Sequence, residues 1–309
     1  MTTAPANDVI VAVCTYNRTA ELDRLLRAID TYARDQWKSC TIGVTVIDDS
    51  ADGNARAVAA RYADRFALGL VYENSASRNI SVARNLALAR SIDRASFIAM
   101  TDDDCEPSDV WLTELLRVRA ASDAEVSTGL MLRKAPAHAP RWIQDQPFLQ
   151  LGEFHAVDGE ELPIANTNNS LIATAFLKER PALRFDPAFG RTGGEDMAFF
   201  HAMKQAGARI VYAARAFVYE IEPDERLTLR YQFRRHLWQG NTSVVTRLPR
   251  GVGRLRLTVN GGATMVRGAI RPLRQLSRRE PPQFLFAAAK MVEGVGIMLG
   301  VIGIRLKHK

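Results

Sequence analysis

Cysteine is scarce. Cys14, Cys40 and Cys105 are the only three in 309 residues; their odd number and spacing exclude a disulfide framework and a cysteine metal site, and they fit reduced thiols in a cytosolic protein. Collagenous and low-complexity stretches are absent, so a chain that is 47% hydrophobic is globular, with enough apolar mass for one large α/β domain and an appendage. The polar start, Met1 to Asp8, lacks the pattern of a secretory signal, which predicts a cytoplasmic protein. Acid is missing from Arg226 to Arg279, where arginine recurs throughout; that asymmetry, within a net charge of +7, predicts an anionic partner. Aromatics in that region are confined to Tyr231, Phe233 and Trp238, too clustered to stack bases along a groove, so no nucleic acid is expected there.

What is present begins with buried strands. Val9 to Cys14 and Ile42 to Ile47 are continuous apolar runs of the kind found in parallel sheets. Between them Leu22, Leu25, Leu26 and Ile29 fall on one face of a helix. A helix over 54–65, a strand over 68–72, a helix from Ser81 to Ala89 and a strand over 96–100 continue the alternation. This predicts an open, mostly parallel sheet whose strand ends carry the site. Asp48 and Asp49 lie at one such end, and Asp102, Asp103 and Asp104 at another.

Three adjacent carboxylates are costly unless neutralised, and hard oxygen donors at this density suit Mg²⁺ or Mn²⁺ together with phosphate oxygens. The alternative is a solvated acidic turn in which Asp104 or Ser108 caps the next helix. Cys105 is expected to pack rather than to ligate. Residues 135–163 lack a period and read as a loop or lid. Glu195 and Asp196 follow Gly193–Gly194 at a helix start, where they either cap the dipole or hold a general base on a rigid element.

Taken together, Cys14–Arg18, Val46–Ser50, Ala83–Asn85, Asp102–Asp104 with Pro107, and Phe185–Asp186 with Gly194–Asp196 resemble the family 2 glycosyltransferases of GT-A fold. The resemblance covers roughly residues 8 to 220 and implies an inverting transferase that uses a nucleotide-sugar and a divalent metal. It implies Thr15, Tyr16, Arg18, Asp49, Arg84 and Asp103 at the nucleotide, and Asp102 and Asp104 as metal ligands. Asp196 matches the catalytic base, with Glu195 orienting the acceptor. A carboxylate at Asp49 that accepts a ring N–H suits uridine, thymidine and guanosine donors and not cytosine or adenine, and among them a UDP-sugar is the first expectation. His236 stands where processive members carry Trp, which suggests transfer of one sugar per acceptor. The family's pattern continues to about residue 220, and 221–309 forms a basic, partly apolar helical extension.

In that extension Phe284 to Leu306 is apolar but interrupted by Lys290 and Glu293, and its uncharged run Gly294–Ile304 is too short for a hydrocarbon core of about 30 Å. With arginines before it and Arg305, Lys307 and Lys309 after it, it is expected to lie at an anionic membrane surface. The expected protein is thus a cytoplasmic enzyme, peripheral on the inner face of the cell membrane, acting on a glycan or lipid-linked acceptor. The competing readings are a nucleic-acid-binding protein using the arginines and a nucleotide-sugar nucleotidyltransferase. The second needs a glycine-rich phosphate loop after the first strand, and Tyr16–Thr19 has no glycine.

Overall fold

The computed structural model describes residues 7–35, 40–149, 156–190, 193–248 and 251–306. They form two compact units: the first takes the described residues up to 132 and from 156 to 220, the second takes 133–149 and those from 221 onward.

The first unit alternates as its apolar pattern requires. β1 (Asn7–Thr15), α1 (Thr19–Asp35), β2 (Cys40–Asp48), α2 (Arg56–Ala60), β3 (Leu70–Asn74), α3 (Ile80–Ser91) and β4 (Phe97–Asp102) are followed by β5 (Cys105–Pro107), α4 (Trp111–Ser122) and β6 (Val126–Lys134). After α5 (Arg141–Gln144), which belongs to the second unit, come β7 (Ser170–Ala173), α6 (Thr174–Lys178), α7 (Glu195–Gln205) and β8 (Ile210–Ile221). The sheet order is β3-β2-β1-β4-β7-β6-β8-β5. β3, β2, β1 and β4 are parallel, whereas β7 pairs antiparallel with β4 and β6, and β5 antiparallel with β8. The parallel half is the one the apolar runs foretell, because its strands are buried on both faces. Val9, Val11 and Val13 join the core under α1 and α4, while Ala12, Ile98 and Met100 join the core that holds Phe199 and Phe200 of α7.

The antiparallel half was less visible in the sequence. β6 begins Val126–Ser127–Thr128–Gly129, yet Ser127 and Thr128 are buried because their hydroxyls donate to the Leu115 and Asn169 carbonyls at 2.8 and 2.7 Å. Asn169 is the polar clamp of this region. Its Oδ1 accepts the Trp111 indole N–H at 2.8 Å, and its amide donates to the Ala216 and Leu130 carbonyls at 2.7 and 3.2 Å. Gly129 makes room for it: a Cβ there would lie 1.9 Å from the Ala216 oxygen. The helix expected over 54–65 is only α2, five residues followed by turns, and α3 is capped by Asn79 rather than Ser81.

In the second unit, α8 (Leu229–Arg247) and α9 (Arg254–Ser277) pack on α10 (Phe284–Val301). Glycine permits the close approach. A Cβ on Gly240 would lie 2.0 Å from the Glu293 carbonyl, and one on Gly296 would lie 2.0 Å from that of Leu237. The charges that seemed to interrupt α10 are satisfied inside the unit: Lys290 Nζ donates to Glu293 Oε2 at 2.6 Å, and His236 Nδ1 lies 3.0 Å from the same oxygen. The apolar helix therefore starts at Phe284, ten residues before the uncharged run. By length and composition alone it is long enough to cross a membrane, with a third of its residues buried. His236 packs edge-on to Phe148 and Phe286, and the stretch read as a loop or lid supplies α5 and Phe148 to that aromatic cluster. Arg191, Thr192, Arg250, Lys307 and Lys309, and 150–155 of that stretch, lie outside the described residues.

Removing a buried group with three partners leaves all three unsatisfied. Asn169→Ala is expected to cost about 3 kcal/mol in chemical denaturation, and an unchanged midpoint would contradict the clamp.

Candidate functional site

The site is set by strand register. Cys14 of β1 lies opposite Asp102 of β4 and opposite Ile47 of β2, so the residues that follow all three strands leave the sheet at one edge. At that edge Thr15 Oγ1 donates to Asp103 Oδ2 at 2.7 Å, and Arg18 Nη1 reaches Asp103 at 3.0 Å and Asp104 at 2.7 Å. One oxygen of Asp104, Oδ2, thus accepts from Arg18, and α4 is not capped by it: Val110 stands at that N-cap with no side-chain bond. Burial pushes the Asp103 carboxyl up to about 6 against the pull of Thr15 and Arg18. Burial and the neighbouring Asp102 also raise Asp104. The thiols do not compete as ligands, because burial carries Cys14 up to about 12 and Cys105 higher still, leaving both protonated.

Asp49, at the end of β2, organises the loop before α3. Its Oδ1 accepts from both hydroxyls of Ser75 and Ser77 and from the backbone N–H groups of Ser77 and Arg78, and its Oδ2 accepts the N–H of Asn79 at 2.7 Å. Burial alone would raise this carboxyl, but the bonds from Ser75, Ser77 and Asn79 hold it below the ordinary value. The same bonds hold Ala76 and Arg78 at φ of 46° and 51°, in the left-handed region. Asp48 does similar work one residue earlier, accepting from the Ser50 and Ala55 N–H groups and the Tyr72 hydroxyl.

Between these two networks lies a cavity of about 510 Å³ lined by Thr15, Tyr16, Arg18, Asp49 and Asp103. Five of the residues expected at a nucleotide therefore meet in one place. Arg78 and Ile80 complete the wall and were not foreseen; the signal for Arg78 was the polar loop that interrupts the strand–helix alternation.

Arg84 stands elsewhere. It is buried on α3, where its guanidinium donates to Glu195 and, at 3.2 Å, to Asp102. It joins the β4 triplet to the first turn of α7 rather than lining the cavity. Asn85, beside it, also faces no ligand: it exchanges two 2.8 Å bonds with the backbone of Phe185. Gly193 and Gly194, at φ of 83° and 94°, allow the chain to turn into α7 with both acids on its first turn. Asp196 accepts the Met197 N–H at 2.7 Å, yet burial and the adjacent Glu195 raise its carboxyl. Glu195 Oε2 is a buried acceptor with no donor among the described residues. The pair thus offers a raised base next to an unfilled acceptor.

Among the described residues no three His, Cys, Asp or Glu side chains close a metal cage. Asp102, with its side chain 41% exposed, and Asp104 remain as two hard-oxygen donors repelling one another. A Mg²⁺-type site uses one or two carboxylates and completes its shell with water and phosphate, so this donor set fits such an ion.

The two arginines differ in energetic weight. Arg84→Ala leaves buried Glu195 unpaired and is expected to cost about 3 kcal/mol by urea denaturation, whereas Arg18, 45% exposed, is expected to cost less than about 1 kcal/mol. Equal losses would contradict the bridging role.

Residues 10–178 match the family described as Glycosyl transferase family 2. The succinoglycan biosynthesis protein ExoM of Rhizobium meliloti (strain 1021) is 30% identical over 239 residues, 75% of this chain and 72% of that protein. Among solved structures, S. aureus TarS 1-349 is similar with a TM-score of 0.51 and 16% identity, over 93% of this chain and 90% of that one. The same TarS fragment in complex with UDP gives 0.52 and 17% over the same shares. The fold is that of the GT-A glycosyltransferases, and the chain belongs to glycosyltransferase family 2.

Proposed function

We propose that this protein is an inverting, metal-dependent transferase that moves a sugar from a UDP-sugar to a hydroxyl of a membrane-bound or lipid-linked glycan, in surface polysaccharide or glycolipid synthesis. The observation that carries the reading is the Arg84 bridge, which ties Asp102, beside the cavity, to the turn bearing Glu195 and Asp196. ExoM, a succinoglycan biosynthesis protein, supports the polysaccharide product, and the TarS complex with UDP supports the donor.

In this reading UDP occupies the cavity with its base toward Asp49, whose Oδ2 accepts from Asn79 and retains a lone pair for a ring N–H. Tyr16, 47% exposed, offers its ring at the rim, and Arg78 faces the diphosphate. Asp102 and Asp104 would hold a divalent ion, Mg²⁺ or Mn²⁺, which when bound would supply positive charge to offset that of the diphosphate. Asp196 takes the proton from the acceptor hydroxyl as its oxygen bonds to the anomeric carbon, and the bond from that carbon to the diphosphate oxygen breaks with its electron pair leaving on UDP. One in-line displacement inverts the configuration. Glu195, tied to Arg84 on the first turn of α7, orients the acceptor. No third carboxylate is needed for a covalent intermediate.

The membrane surface is part of the same reading. Leu255, Val259, Val266 and Leu273 form an exposed apolar stripe on α9, and Arg256 and Arg274 occupy another face of the helix. That division suits a helix resting in an anionic headgroup layer, where each basic residue contributes about 1 kcal/mol. The protein is then peripheral on the cytoplasmic face of the membrane.

Asp196→Asn is expected to lower transfer by about 10²–10⁴-fold while donor binding persists. Because the carboxyl of Asp196 is raised and must be ionised to accept a proton, wild-type rate falls on acidification at a pH above that of an ordinary aspartate, near 3.9. Residual activity of Asp196→Asn lacks that acid limb. Full activity in the variant, or an unchanged limb, would contradict the assignment.

A further inference from the structure

The acid-free segment of the sequence closes on itself in an unexpected way. Within the second unit α8, α9 and α10 border an open cavity of about 500 Å³ that shares no residue with the nucleotide cavity. Four cationic side chains line it: Arg247 from α8, Arg267 and Arg271 from α9, and Lys290 from α10. Helical spacing accounts for the convergence, since Asn260, Thr264, Arg267 and Arg271 fall at i, i+4, i+7 and i+11 along one face of α9. This face is not the one carrying the exposed apolar stripe.

The cations are not there to balance acid. Glu293 is the single carboxylate of the lining, and it is engaged by Lys290 at 2.6 Å and His236 at 3.0 Å. Arg271 is held by a neutral partner: its Nε and Nη2 donate to Gln283 Oε1 at 3.1 and 2.8 Å, and its guanidinium lies 5.0 Å from the Phe286 ring centre. Those contacts fix the orientation of the guanidinium and leave its charge uncompensated. Arg247 and Arg267 form no ion pair among the described residues, and the Asn260 amide has no hydrogen-bond partner among them. Arg247 and Arg267 are both exposed, so their charges are screened by solvent and remain available to an anion entering from outside. Guanidinium forks with an amide donor match the tetrahedral oxygens of a phosphate.

We propose that this cavity is a second binding site, one that takes a phosphate or diphosphate group. The inference stands on the cavity alone and does not rest on the assignment of acceptor or donor. A diphosphate can reach it free in solution or as the headgroup of a lipid, and both present the same oxygens to Arg247, Arg267 and Arg271.

The test uses the full chain in EDTA, which removes the metal that the nucleotide cavity is proposed to need, titrated by calorimetry with inorganic pyrophosphate and, separately, with farnesyl diphosphate. One site is expected, weakened about 10-fold or more in Arg247→Gln/Arg267→Gln and unchanged in Arg78→Ala, which alters only the nucleotide cavity. Both substituted arginines lack ion pairs among the described residues, so an unchanged thermal midpoint is expected. Asn260→Asp, which places a negative charge in the cavity, provides an independent loss of binding should the double variant not fold. Farnesyl diphosphate binding more than about 10-fold tighter than pyrophosphate assigns the site to a lipid headgroup, and equal affinities assign it to the free anion. Absence of binding to both, or binding indifferent to Arg247, Arg267 and Asn260 alike, overturns the proposal. Loss of binding through Arg78→Ala instead would place the anion in the nucleotide cavity and overturn it equally.

Discussion

The buried guanidinium of Arg84 is the interaction on which the catalytic half of this protein depends. Asp102 and Glu195 come from segments 93 residues apart in sequence, one ending a strand and the other beginning a helix. Both are acids, and nothing in the backbone obliges them to meet. Arg84, on a third element, donates to both. A buried arginine is tolerated only when its charge is matched, and carboxylates at a crowded sheet edge are tolerated only when something neutralises them. Each party satisfies the other's requirement. The end of β4 is therefore tied to the start of α7, with Asp196 one residue from the anchored Glu195.

The same logic of offset charge orders the nucleotide side. Arg18 neutralises Asp103 and Asp104, and Asp49 is satisfied by five donors from residues 75–79. Arg78 is left over. It lines the cavity in a left-handed conformation that the Asp49 network enforces, and that conformation is the kind of local strain found where a loop is shaped for a ligand.

Much of this was legible in the chain itself. Continuous apolar runs fixed β1, β2 and β4, and because the acids follow those runs directly, the location of Asp49 and of the triplet at one sheet edge followed from strand topology. Arg84 was legible as a site residue but not in its role, since helical periodicity places it on α3 without saying that it turns inward to Glu195. Asn169 was invisible: its three partners are 58, 47 and 39 residues away, and a polar residue earns burial only through contacts the local pattern does not encode. β6 was hidden for the same reason, its Ser and Thr being satisfied at a distance. In the second unit the start of α10 at Phe284 was legible, but Lys290 and Glu293 read as interruptions because the pattern does not show that they and His236 compensate one another across two helices. The acid-free composition signalled an anion, and only the three-helix geometry shows where the arginines converge.

The most direct test of the account is calorimetric titration of UDP into the wild-type chain and into Asp102→Ala, each with Mn²⁺ and with EDTA. The account predicts UDP binding that requires Mn²⁺ in the wild type and is lost in the variant. Equal binding in all four titrations would contradict the assignment of Asp102 to the metal, and no binding in any would mean that the chain has the family's fold without the donor chemistry proposed for it.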